Sequence, residues 1–258
     1  MLKNINTSLV TLSLSLILFS CSDQIQDYEE KIRNELEANN QTMSVADIKT
    51  RAIYLAEWSK PSFYQDAIKS FKENDISNPP LKNSILFIGS SSIVYWKTLK
   101  EDMWPHEVIN RGFGGAHIAH INNYFNEVVT PYEPKGIVFF CGTNDLTALK
   151  SVDKVFNDFL SFYHNVRVTL PNTKVFFIGI KPSIARHYLR DKQLRFNKLA
   201  KDLAEKEDSL VYIDVWKTML LKNGMADPSL FVEDGLHMNQ NGYLIWKNLV
   251  LTHLNKSF

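Results

Sequence analysis

Residues 85–92 read Ile85-Leu86-Phe87-Ile88-Gly89-Ser90-Ser91-Ser92, an uninterrupted apolar run that stops at a glycine and opens into hydroxyls. Four apolar residues without polar alternation suit a strand covered on both faces, as in a parallel sheet. The pattern returns downstream. Val108-Ile109 is a weaker run, followed by Ile137-Val138-Phe139-Phe140-Cys141, Val175-Phe176-Phe177-Ile178 and Leu210-Val211-Tyr212-Ile213. Between them lie segments with apolar residues at helical spacing. These are Ile118, Ile121, Phe125 and Val128, then Val152, Val155, Phe159, Phe162 and Val166, then Leu244, Trp246, Leu249, Val250 and Leu254. Five strands joined by helical crossovers predict an α/β fold, a three-layer sandwich around a five-stranded parallel sheet. Cys141, within the third strand, reads as a buried small hydrophobe.

Composition narrows the function classes. The chain has 258 residues, near the upper size for one hydrophobic core, and is 45% hydrophobic and 22% charged. Those proportions exclude collagen-like and wholly disordered chains. Lys and Arg number 29 against 28 Asp and Glu, with no local basic cluster, so no nucleic-acid partner is expected. Two cysteines without a CxxC pair exclude a disulfide framework and a zinc ribbon.

The first twenty residues read as targeting. Met1 to Ser20 carry one charge, Lys3, ahead of an apolar and hydroxyl run from Leu9 to Phe19. That run is shorter than the roughly 20 apolar residues of a spanning helix and fits an export signal. The cut would fall in Leu18-Phe19-Ser20-Cys21, which resembles the lipobox of bacterial lipoproteins. The resemblance implies lipidation of Cys21 and an exported envelope lipoprotein, anchored to a membrane on its periplasmic or outer face. Removing Lys3 leaves 28 basic and 28 acidic residues, so attachment would come from lipid and not from charge. Residues 22 to about 75 read as helical and acidic, and 22–45 as a tether with too few apolar side chains for a core. Asn78-Pro79-Pro80 ends any helix. The expected organisation is a signal over 1–20, then a lipidated cysteine, tether and N-terminal helices over 21–80. The main domain follows over 81–258.

Ligands of open parallel sheets bind beyond the carboxyl ends of the strands. Behind the first strand comes Gly89-Ser90-Ser91-Ser92, and behind the second Asn110-Arg111-Gly112-Phe113-Gly114-Gly115. Gly142-Thr143-Asn144-Asp145 follows the third, and Asp234-Gly235-Leu236-His237 precedes the final helix. In this order the four stretches resemble the blocks of the SGNH hydrolases, the GDSL-type esterases and lipases, over roughly residues 84–254. The branch with GSSSI at the nucleophile and KPS-x-x-R after the fourth strand is the most similar, the latter here from Lys181 to Arg186. The resemblance implies a flavodoxin-like sheet with Ser91 as nucleophile and Asp234 and His237 as its partners. Gly115 and Asn144 would join Ser91 in the oxyanion hole. Ser90 stands where the signature carries Asp; that Asp does not attack, so the chemistry is expected to survive with altered loop hydrogen bonding.

These roles agree with elementary chemistry. A serine hydroxyl is a poor nucleophile until a neighbouring base takes its proton. His237 can take that proton and return it to the leaving group. Asp234, three residues earlier, can hold the imidazole in one tautomer. No G-x-S-x-G elbow occurs. The amides of Ser91, Gly115 and the Asn144 side chain could receive the charge that develops on an ester carbonyl.

Each signal is weak alone. Ser91 could be a helix cap, the glycines a tight turn, Asn144-Asp145 a turn, and Asp234 and His237 a surface loop. Their conjunction in order carries the reading. His117 and His120 read as a polar helix face, since no HExxH pattern accompanies them. Lys181, Ser183 and Arg186 are candidate substrate contacts, with a helix start at Pro182 as the alternative. Trp96, Trp104, Phe113 and Trp246 read as core in preference to a sugar platform.

The expected function is an exported serine esterase that works through an acyl-enzyme, without metal or organic cofactor. Its substrate would be a small acyl ester, acetyl above all, on a small molecule or glycan. The oligomeric state stays open. The alternatives are a lysophospholipase or thioesterase, and a non-catalytic envelope binding protein, which only Ser90 encourages.

Overall fold

The computed structural model describes residues 7–258, with side chains from Ser22 onward. The expected export signal and the acylated Cys21 fall outside the residues whose side chains are described. Among the described residues no helix is long and apolar enough to cross a membrane. The chain divides into two compact units, Met1–Phe63 and Tyr64–Phe258.

The first unit is a helix pair, α1 (Thr7–Ala38) and α2 (Val45–Trp58). The second helix starts where Ser44 accepts the Asp47 amide at 3.1 Å, an N-cap that replaces a missing helical partner. In α1, Tyr28, Ile32 and Leu36 are buried at four-residue spacing, and the helix packs along α2 with its Ala52 and Leu55. The Tyr28 hydroxyl reaches Ser59 at 2.6 Å, and Arg51 donates to Glu35 at 2.7 Å. Residues 22–38 are therefore not the tether expected. Three apolar residues on one stripe suffice for a single helix partner but are too sparse to reveal a core among so many acids.

The second unit opens with α3 (Gln65–Ser77) and then alternates strands and helices. Strand β1 (Ile85–Gly89) leads to the single turns α4 (Ser91–Val94) and α5 (Leu99–Asp102) and to β2 (Val108–Gly112). Next come α6 (Ile118–Asn123), α7 (Phe125–Val128) and β3 (Gly136–Phe140). Then follow α8 (Thr143–Thr147), α9 (Val152–Thr169), β4 (Lys174–Ile178), α10 (Arg190–Ala204), β5 (Leu210–Ile213) and α11 (Gln240–Ser257). The sheet order is β2-β1-β3-β4-β5, every pair parallel, which is the flavodoxin-like order.

Alternation along each strand makes the layers. Leu86, Ile88, Ile137, Phe139, Val175 and Phe177 face one side, against Ile121 of α6, Phe159 and Phe162 of α9 and Phe196 of α10. Ile85, Phe87, Val138, Phe140, Phe176 and Ile178 face the other, against Trp96 and against Trp246, Val250 and Leu254 of α11. Both faces are dry, so the strands carry continuous apolar runs. The three-layer α/β sandwich and its five strands stand where the sequence reading puts them.

The boundary differs. The compact unit begins at Tyr64, ahead of the expected residue 81. A buried polar triad explains why α3 belongs to it. Arg111 of β2 pairs with Asp75 of α3, and its Nε donates to the Tyr132 hydroxyl at 2.6 Å; that hydroxyl donates to the other Asp75 oxygen at 2.6 Å. Burial pushes the Tyr132 phenol up to about 12, so it remains a donor. Asp75→Ala would strand a buried guanidinium. It is expected to cost about 3 kcal/mol in urea unfolding, with an unchanged m-value, whereas a surface pair would cost under about 1.

Candidate active site

The site begins with a glycine. Gly89 ends β1 at φ +153°, and a Cβ there would sit 1.9 Å from the Phe140 carbonyl oxygen of β3. Only glycine allows that approach. The Ser90 amide then donates to the same carbonyl at 3.1 Å, and the chain turns into α4 with Ser91 in its first turn. The second block passes alongside: a Cβ on Gly114 would lie 4.0 Å from Ser91 Cβ, and Gly115 adopts φ +79°.

His237 arrives from the far end of the chain. His237 Nε2 lies 2.9 Å from Ser91 Oγ, and His237 Nδ1 lies 2.5 Å from Asp234 Oδ2. The other Asp234 oxygen accepts the backbone amides of Leu236 and His237, both at 2.8 Å. Burial tends to raise the Asp234 carboxyl, but those two amides and the imidazole outweigh it and hold it at about 2. A carboxylate at Oδ2 places the imidazole proton on Nδ1 and leaves Nε2 to accept from Ser91. The three side chains form one continuous hydrogen-bonded line in which Asp234 stays a carboxylate.

Asn144, at the start of α8, donates through Nδ2 to the Ala116 carbonyl at 3.2 Å, so the third block is tied to the second. Asp145 beside it is fully buried and accepts the Ile118 amide at 3.2 Å and Lys150 Nζ at 2.8 Å. Ser91, Asn144 and His237 border one cavity of about 20 Å³, with Ser90, Lys181 and Ser183 in its wall. The Ser183 hydroxyl is buried there without a hydrogen-bond partner among the described residues.

The segment after β4 frames the catalytic loop. The amides of Ile184 and Ala185 donate to the Gly235 carbonyl at 2.9 and 3.1 Å, and Lys181 Nζ donates to the Leu236 carbonyl at 2.5 Å. Burial, and then the Arg186 guanidinium, lower the Lys181 ammonium to about 7 against the pull of Asp234. Arg186 donates to Thr147 Oγ1 and, at 3.3 Å, to the Thr143 carbonyl, bracing the turn that carries Asn144. Of the three candidate substrate contacts, Lys181 and Ser183 border the cavity and Arg186 braces the neighbouring turn.

Other expectations change. His117 and His120 are not a polar face: both are fully buried, stacked at 4.7 Å, and the His117 amide donates to His120 Nδ1 at 2.9 Å. Burial depresses the His117 imidazole, so it sits neutral inside the domain. The short α6 packs against α9, and no outward face of it carries these rings. Trp96, Phe113 and Trp246 are core as expected, whereas Trp104 is 78% exposed.

Sequence reasoning passed over two residues. Asn197 of α10 clamps the exit of β4, its carbonyl accepting the Ile180 amide at 2.7 Å and its amide donating back at 2.8 Å. An Asn inside an otherwise amphipathic helix is the signal that could have found it. Tyr95 sets its ring edge-to-face against His237, centroids 4.8 Å apart. It lies four residues past Ser91, at the end of α4.

Comparison with known proteins agrees with this geometry. The model of the GDSL-like Lipase/Acylhydrolase family matches residues 90–245, more than half of the chain. No curated protein gives a significant match. Among solved structures, an acylhydrolase-like chain from Bacteroides fragilis superposes with TM-score 0.65 at 21% identity, over 73% of this chain and 96% of that one. A GDSL-like lipase from Bacteroides thetaiotaomicron gives 0.62 at 18%, over 74% and 98%. An acetylxylan esterase from Geobacillus stearothermophilus, in a catalytic mutant, gives 0.55 at 15%, over 67% and 94%. At such identities these likenesses speak for the fold. The family model, falling on the blocks that meet around Ser91, makes this chain a member of the GDSL-like lipase/acylhydrolase family and a carboxylic ester hydrolase.

Proposed function

We propose that the chain is a serine esterase for small acyl esters, acetyl esters on carbohydrate above all. The observation that carries it is the Ser91–His237–Asp234 relay, at 2.9 and 2.5 Å, set against a cavity of only about 20 Å³. Ser91 Oγ attacks the ester carbonyl carbon while its proton passes to His237 Nε2. The amides of Ser91, Gly115 and the Asn144 side chain receive the oxyanion. When the C–O bond to the alcohol breaks, the imidazolium returns its proton to the departing oxygen. Water then attacks the acyl-enzyme by the same route, Ser91 regains its proton, and the carboxylic acid leaves.

The cavity favours acetyl. Space of that size takes about one water or methyl group, whereas an octanoyl chain needs a channel. The likeness to an acetylxylan esterase supports the same reading. A non-catalytic binder would have no use for a base aligned on a hydroxyl and oriented by a carboxylate.

On p-nitrophenyl esters, acetate is expected to exceed octanoate in kcat/KM. Ser91→Ala should lower turnover on the order of 10⁴-fold or more, and Asn144→Ala about 10²–10³-fold. Equal rates on both esters would overturn the acetyl preference, and full activity in Ser91→Ala would overturn the mechanism.

The pH profile separates the two acid-base groups. Asp234 stays a carboxylate down to about pH 2, so it does not titrate in an ordinary assay. The imidazole must be neutral to accept the Ser91 proton, so activity is present at high pH and falls with a one-proton slope once acid protonates the base. A kcat/KM that stays flat as far into acid as the protein remains folded would contradict His237 as the base.

We further propose export and anchoring through Cys21, supported by the apolar run from Leu9 to Phe19 and the Leu18-Phe19-Ser20-Cys21 stretch. Palmitate labelling of the full chain in a bacterial host is expected and should vanish in Cys21→Ser. Equal labelling in both would refute it.

A further inference from the structure

Next to Tyr95, whose ring packs against His237, lies a groove of about 770 Å³. We propose that this groove is the leaving-group subsite and receives a glycosyl ring of the alcohol. The inference rests on the esterase reading above. It concerns the alcohol and not the acyl group.

Proton delivery places the alcohol. The imidazole protonates the departing oxygen, so the alcohol lies against His237 when the C–O bond breaks, while the carbonyl oxygen lies toward Asn144. The small cavity borders Ser91, Asn144 and His237; the groove borders Tyr95, whose ring contacts His237, and Met238 and Asn239, which follow His237 in the chain. The two spaces differ greatly in size. Room for a methyl on the acyl side and for a large group on the alcohol side is the reverse of what a fatty-acyl ester of a small alcohol requires.

The lining selects the alcohol's chemistry. Tyr95 presents a ring that is 47% exposed, held by its contact with His237 and by its amide, which donates to the Ser91 carbonyl at 2.8 Å. A fixed, half-exposed phenol ring is a platform for the apolar face of a sugar. Around it stand Gln240 and Asn241 at the exposed start of α11, with Lys97, its ammonium 5.8 Å from the Tyr95 ring centroid. Lys247 is paired with Asp102 at 3.0 Å, and Asp102 also accepts Trp96 Nε1 at 2.9 Å, so that side of the rim is a fixed polar wall. Amides and ammonium groups suit ring hydroxyls, and an alkyl chain would leave them desolvated without partners. Leu244 is the exposed apolar member of the lining.

The experiment varies the alcohol at constant acyl group. Full-length wild type, Tyr95→Ala and Gln240→Ala are assayed on O-acetylated xylotriose and on ethyl acetate, whose alcohol is too small to fill the groove. Binding of unacetylated xylotriose is measured calorimetrically on the same proteins. The ratio of the two kcat/KM values cancels any disturbance of His237 itself. It is expected to fall about tenfold in each variant, with a parallel loss of xylotriose affinity. An unchanged ratio with unchanged binding, alongside hydrolysis of both esters, overturns the groove and leaves the esterase reading standing. Hydrolysis of neither ester by folded protein that still binds xylotriose in a Tyr95-dependent way supports the groove and overturns the esterase reading. Neither hydrolysis nor binding overturns both.

Discussion

The ends of β1 and β3 lie so close that the Phe140 carbonyl occupies the space where any side chain at position 89 would begin. This contact decides more than one glycine. With no Cβ at Gly89, the Ser90 amide bonds the same carbonyl, and the chain must leave the sheet at once into α4. Ser91 therefore stands at the carboxyl edge of the two central strands, where β2, β1 and β3 deliver their loops together. Ser91 is placed by main-chain geometry, and with Ser90 before it its hydroxyl lies 2.9 Å from the His237 imidazole.

His237, by contrast, comes on a long irregular loop between β5 and α11, and the loop is braced from outside. Two amides and one ammonium from the segment after β4 hold the carbonyls of Gly235 and Leu236. Asp234 closes the loop on itself through the Leu236 and His237 amides. The Val232 amide donates to the His237 carbonyl at 2.9 Å, and Phe231 bridges Met238. These contacts fix where His237 stands, and the KPS-x-x-R stretch reaches the loop through its backbone carbonyls, with Lys181 at the cavity wall.

Buried charge follows one logic through the main domain. Arg111 with Asp75 and Tyr132, Asp145 with the Ile118 amide, and Lys181 with Leu236 each join elements distant in sequence. Burying these ions costs free energy, and each offsets the cost only when its partner is in register. Such pairs add little net stability, but they penalise every arrangement in which the loops fail to converge. Convergence at the carboxyl edge of the sheet is what the chemistry needs.

Local pattern was enough for the layers and for the order of the site. Continuous apolar runs mark doubly covered strands, helical spacing marks the crossovers, and each polar block sits next to its own strand, so Ser91, Asn144, Asp234 and His237 are readable in turn. Those features depend on neighbours a few residues away. Tertiary structure alone decided the rest. Tyr28, Ile32 and Leu36 turn an apparent tether into a packed helix, Asp75 draws α3 into the main domain, and His117 and His120 lie inside the domain and away from its surface. The Lys181–Leu236 bond spans 55 residues, and the sizes of the spaces flanking His237 depend on side chains from several strands and loops. Contacts between segments so far apart are set by how the layers stack, and no short stretch of sequence carries that information.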